Sequence, residues 1–173
     1  MLIVTGAGAC SDDGGTDRLS EGLPDVAPDP GAADAGAVDL PYETFDGATT
    51  TLAAYKGRPL VVNFFSSWCT PCITEMPDFE SVHEELGDEV AFVGMNYGGG
   101  GETVSGAKDI IKRTGITYDV GRDPDGALLE AFGGLTMPTT VLIHPDGTIA
   151  KVRSGAVSKG ALRDLLRDEL GVG

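Results

Sequence analysis

The chain has 173 residues, enough for one domain with a full core and an extension beyond it. Its 41% hydrophobic content suits a soluble globular fold, and no apolar run reaches membrane-spanning length. The formal net charge of −15, divided between residues 1–41 (−7) and the remainder (−8), excludes the Lys/Arg face that nucleic-acid binding needs and reads as a solvated acidic surface.

Residues 1–10 open with a short apolar stretch of small side chains ending at Cys10. Val4-Thr5-Gly6-Ala7-Gly8 imitates the start of a dinucleotide-binding turn, but Ser11 stands where the third glycine belongs and no helix-forming run follows. The better reading is the tail of a secretory signal. Ala7-Gly8-Ala9-Cys10 resembles a lipobox, whose cysteine is lipidated and becomes the mature N-terminus. It departs from the pattern in having Ala7 in place of leucine and no basic residue upstream. Residues 11–37 are rich in Asp, Gly, Ala and Pro, too poor in apolar surface to offset chain entropy, and are expected to form a disordered acidic tether.

The folded domain is expected over residues 38–173. Val38–Leu40, Thr44-Phe45 and Thr49–Leu52, around the turn Asp46-Gly47, predict short strands or a hairpin. Ala53 to Gly57 predicts a brief turn or helix. Leu60 to Phe65 is apolar at every position but Asn63, as in a central strand covered on both faces. Thr70 to Leu86 predicts a helix interrupted at Pro77, which cannot donate to the Ile73 carbonyl.

Glu89 to Asn96 predicts a second buried strand, and Gly98 to Gly101 a mobile loop. The Gly101–Lys108 stretch falls short of a phosphate-binding loop because its glycine and lysine are not adjacent and no Ser/Thr follows. Glu102 to Thr114 predicts a helix, Thr117 to Val120 an extended piece and Gly126 to Phe132 a short helix. Thr139–Ile143 and Thr148–Val152 predict a hairpin about Pro145-Asp146-Gly147. Ser158 to Leu170 predicts an amphipathic helix with Leu162, Leu165, Leu166 and Leu170 on one face. This order implies an α/β fold: a mixed central sheet with helices on both faces.

The chemistry gathers at Trp68-Cys69-Thr70-Pro71-Cys72, where the apolar strand gives way to the first long helix. At a helix start, unpaired N–H groups and the positive end of the dipole favour an anion, and the thiolate is the reactive form of cysteine. Pro71 fits the first turn, and Cys72 lies one turn on, within reach of Cys69. The pair reads as a redox dithiol. A structural disulfide would close too short a loop to gain much entropically, and a zinc site would need two further ligands where only His83 and His144 are on offer. Both histidines read as surface or turn residues without a role.

Val61 to Cys72, followed by Glu75-Met76-Pro77, resembles the TlpA/ResA-like thioredoxin-fold proteins, and Gly134 to Ile143 resembles the family's second signature. The likeness spans residues 38 to 170. It implies a thioredoxin-like fold with an N-terminal β-hairpin extension and a membrane-tethered, extracytoplasmic thiol–disulfide oxidoreductase without a cofactor or metal. It further implies a nucleophilic Cys69, a resolving Cys72, a cis Pro138 opposite the dithiol and a Glu75 that handles protons for the cysteines.

Asn63 stands where thioredoxins proper carry a titrating aspartate, which leaves the task to Glu75. The Met137 backbone would pair with an extended substrate, and Trp68 would frame the active-site surface. The implied partners are protein disulfides, apocytochrome c among them, and a membrane thiol donor, with the chain a monomer held to the membrane through Cys10. Thr-Pro between the cysteines adds no positive charge, which favours a reductant over an oxidant of the same fold. A copper chaperone would space its cysteines four apart and add a histidine ligand, and a thiol peroxidase would carry its cysteine in a different turn.

Overall fold

The computed structural model describes residues 36–173; Cys10, the lipobox-like stretch and all but the end of the expected tether lie outside the described residues. Eleven regular elements follow from there: β1 (Pro41–Thr44), β2 (Thr49–Thr51), β3 (Leu60–Phe65), α1 (Thr70–Leu86), β4 (Ala91–Tyr97), α2 (Val104–Thr114), β5 (Asp119–Asp123), α3 (Ala127–Ala131), β6 (Thr139–Ile143), β7 (Ile149–Ser154) and α4 (Lys159–Leu170). They form one seven-stranded sheet in the order β2-β1-β5-β4-β3-β6-β7. The strands β3, β4 and β5 run parallel, while β6, β7 and the β1–β2 hairpin join antiparallel.

Both faces of the sheet are covered, which is why β3 is buried at all six positions. Its alternation assigns the faces: Val61 and Phe65 point into the core beneath α1 and α4, with Phe79, Leu162 and Leu166. Leu60, Val62 and Phe64 point the other way, toward Leu128 and Phe132 at α3. Asn63 shares the parity of Val61 and Phe65 and so lies on the α1 face.

Several boundaries differ from the sequence reading, while α1 keeps the bounds read for it. Val38–Leu40 is no strand: Ala37–Asp39 makes a single 3-10 turn with Ala37 and Val38 buried, and pairing begins at Pro41. Helix α1 runs from Thr70 to Leu86 with Pro77 inside it, and the burial of Phe79 and Val82 on its core face anchors the half beyond the proline. Strand β5 continues through Gly121, Arg122 and Asp123, poor strand formers kept extended by parallel pairing to β4. Helix α2 starts two residues late, at Val104, because the Thr103 hydroxyl caps it by accepting from the Gly106 N–H at 3.0 Å.

Candidate functional site

Strand β3 ends at the sheet's C-terminal edge, and the chain turns through Ser66-Ser67-Trp68 into α1. Cys69 is the helix N-cap: its sulfur accepts from the Cys72 N–H at 3.3 Å. The two cysteines form a disulfide across one turn, with Cα atoms 5.3 Å apart. Cys72 is fully buried and Cys69 is 4% exposed, so the sulfur nearer solvent is also the one facing the helix N-terminus.

Glu75 stands one turn beyond Cys72 and is 3% exposed. Its Oε1 accepts from Asn63 Nδ2 at 2.8 Å and its Oε2 from the Val157 N–H at 2.7 Å. Register explains the first contact. Asn63 pairs with Thr140 on β6 and projects under α1 together with Val61 and Phe65. Burial pushes the Glu75 carboxyl up to about 7, against the two hydrogen bonds that favour its charged form, and nearby Asp78 adds to the rise. The Asn63 Oδ1 is buried without a partner. Turning the amide over would present that oxygen to a protonated Glu75, so the pair can serve both charge states. Glu75 also borders an open groove of about 510 Å³ with Thr70, Pro71 and Val157, which connects this buried carboxyl to solvent.

The Met137–Pro138 peptide bond is cis. Pro138 is buried and its carbonyl accepts from the Gly155 N–H at 2.9 Å, while Met137 packs against the cluster that holds both cysteines. Trp68 is 48% exposed and Leu135 is 89% exposed. With Tyr97, Leu129 and Met137 they border a groove of about 460 Å³ beside the cysteine turn. The sequence-read residues Trp68, Met137, Cys69, Cys72 and Glu75 thus share one end of the sheet.

Three features were not legible in the sequence. Glu102, read as the first residue of a helix, lies before it and accepts from the Ser67 N–H at 2.6 Å and the Ser67 hydroxyl at 2.9 Å. Nothing local in the sequence marks that contact across 35 positions. Within the run Gly98–Gly101, Gly98 and Gly100 pass close to neighbours, since a Cβ on Gly98 would lie 2.3 Å from the Pro124 carbonyl oxygen and one on Gly100 2.9 Å from the Trp68 ring, while Gly101 faces open space. His83, read as a surface residue, is half-buried, its ring edge-on to Phe92 and Tyr118 at 5.4 and 5.7 Å. Among the described residues no three His, Cys, Asp or Glu side chains cluster as metal ligands would, and no helix is long and apolar enough to cross a membrane.

Thiol-disulfide oxidoreductase ResA of Bacillus subtilis (strain 168) is 29% identical over 131 residues, 75% of this chain and 72% of that protein. Among solved structures, a thiol:disulfide interchange protein of the thioredoxin family from Chlorobium tepidum TLS aligns with a TM-score of 0.65 and 32% identity, covering 76% of this chain and 93% of that one. The pneumococcal exposed lipoprotein thioredoxin Etrx1 from Streptococcus pneumoniae strain TIGR4 aligns with a TM-score of 0.62 and 30% identity, covering 75% and 98%. The model of the AhpC/TSA family matches residues 32–152, and with a thioredoxin-like sheet built around Cys69 and Cys72 the chain belongs to that family.

Proposed function

We propose that this thiol–disulfide oxidoreductase is a reductant of protein disulfides, working outside the cytoplasm from a membrane tether. The observation that carries the disulfide exchange is the asymmetric disulfide, with one sulfur capping the helix start and the other sealed beneath it, and the uncharged Thr70-Pro71 between the cysteines favours the reducing direction.

In the reduced state the Cys69 thiolate attacks one sulfur of a substrate disulfide. That bond breaks, a substrate thiolate leaves, and a Cys69–substrate mixed disulfide forms. The Cys72 thiol gives up its proton and its thiolate attacks the Cys69 sulfur. The second substrate thiolate then leaves, and the Cys69–Cys72 bond closes. Two electrons pass to the substrate. The proton released by Cys72 goes to Glu75, whose carboxyl titrates near neutrality and reaches solvent along its own groove.

The cis Pro138 leaves no N–H to compete at the dithiol, and the Met137 backbone takes an extended substrate segment as an added strand, with Trp68 as a wall. A membrane thiol carrier returns the protein to its reduced form. Apocytochrome c cysteines are the substrate class that the resemblance of Val61–Cys72 and Gly134–Ile143 to the TlpA/ResA-like proteins implies. The lipobox-like stretch ending at Cys10 and the likeness to the pneumococcal exposed lipoprotein thioredoxin support the tether.

Two measurements test the reading. Equilibration with glutathione or dithiothreitol gives the reduction potential of the Cys69–Cys72 pair, expected below the ambient couple; a value well above it makes the protein an oxidant. Cys72→Ser, which cannot resolve, should accumulate mixed disulfides through Cys69 that dissolve in reductant, and recovery of none would refute disulfide exchange on proteins.

A further inference from the structure

Side-chain hydrogen bonds tie the corner that presents Cys69 to the end of β4 and the connection that follows it. Ser66 donates its hydroxyl to the Tyr97 carbonyl at 2.8 Å, Asn96 Nδ2 reaches the Phe65 carbonyl at 3.4 Å, and the Trp68 indole N–H donates to the Gly99 carbonyl at 3.1 Å. Ser67 gives both its N–H and its hydroxyl to Glu102 Oε2. All these anchors lie between Asn96 and Glu102, at the end of β4 and in its connection to α2. The first turn of α2 closes on the same corner, since a Cβ on Gly106 would lie 2.7 Å from the Ser67 hydroxyl oxygen.

Glu102 is the charged member of this set, and its other oxygen, Oε1, is buried with no hydrogen-bond partner. A half-satisfied carboxylate is unfavourable in a sheltered position. Its two hydrogen bonds to Ser67 go to the residue two positions before Cys69 and directly before Trp68, whose ring borders the groove beside the disulfide.

We propose that Glu102 is a positioning residue for the dithiol: through Ser67 it holds the corner so that Cys69 and the Trp68 wall meet a polypeptide substrate in register. The inference rests on the disulfide-exchange reading above for its substrate, but its effect on Trp68 does not.

Trp68 is the single tryptophan of the chain, so intrinsic fluorescence reports this corner alone. Glu102→Ala should move Trp68 emission to the red and raise its quenching by iodide at least twofold. With disulfide-bonded insulin as the polypeptide probe and dithiothreitol returning the Cys69–Cys72 pair to its dithiol form, kcat/KM should fall at least fivefold, mostly through KM. Glu102→Gln should restore both readouts, because one amide oxygen can accept both Ser67 donors.

Wild-type quenching or a wild-type KM in Glu102→Ala overturns the proposal. So does a Glu102→Gln that behaves like the alanine variant, since charge and not hydrogen bonding would then be what matters. Should Glu102→Ala lose its far-ultraviolet circular dichroism, Ser67→Ala takes its place. It deletes the hydroxyl bond while keeping the N–H, and wild-type quenching there also overturns the proposal. A wild-type protein that reduces no insulin refutes the redox reading, and the quenching series still judges Glu102.

Discussion

At the residue scale, Glu75 carries the clearest consequence. Its carboxyl titrates at about 7 in the folded chain against 4.5 when unperturbed, so between those values the folded state binds more protons than the unfolded one. The contribution of this group to stability is therefore greatest below about pH 4.5, is lost as pH rises to about 7, and is flat above. Glu75→Gln removes that slope. It should stabilise the fold relative to wild type at pH 8 by an amount on the order of 1–3 kcal/mol, a difference that denaturant titration should find vanishing near pH 4.

The same substitution should slow turnover by about a hundredfold and erase the rise in exchange rate through pH 7. An unchanged pH–rate profile in Glu75→Gln would remove Glu75 from the proton path. Much of this was legible beforehand: helical spacing put Glu75 one turn beyond Cys72, and the apolar run made Asn63 stand out. The contact between them was not, because it depends on which face of β3 each residue takes once α1 and β6 are in place.

At the scale of elements, the strongly patterned pieces were readable and the ones decided by tertiary contact were not. The strand β3 announced itself by a run apolar at every position but Asn63, and α4 by its leucine stripe. Strand β5 ends in Gly121-Arg122-Asp123, which no propensity would extend. Parallel pairing with β4 keeps it straight, and the buried Asp123 carboxylate accepts from the Leu128 and Leu129 N–H groups at the start of α3.

The close approaches along the glycine run were hidden for a similar reason. Consecutive glycines suggest freedom, whereas here Gly98, Gly99 and Gly100 run too close to Pro124, Tyr97 and Trp68 for a Cβ to fit without a shift. Gly98→Ala would drive its methyl into the Pro124 backbone, which cannot rotate away as a side chain could. The expected loss is about 2 kcal/mol, seen as a lowered midpoint of thermal unfolding; an unshifted midpoint would show that the connection has slack.

At the scale of the whole molecule, the acidic surface bears on encounter. With a formal charge of −15, cationic polypeptides should be drawn in and acidic ones turned away, and both effects should weaken as salt screens them. Stopped-flow rates for a basic disulfide-bonded polypeptide should fall about tenfold between low and high salt, while those for an acidic one should rise. Equal salt dependence for the two would mean that the charge near the dithiol, and not the total, governs approach.

The β1–β2 hairpin has a consequence of a different kind. Docked along β5 through the pairs Glu43–Arg122 and Thr44–Gly121, with the Tyr42 ring closing over Gly121, it occupies what would otherwise be an open flank of the sheet. The outermost strand on that side is three threonines long, and the opposite outer strand, β7, carries Lys151 and Arg153. A protein proposed to accept foreign strands at Met137 thus presents only short or charged margins elsewhere. Stray segments find little to zip onto, and copies of the chain have little reason to stack edge to edge.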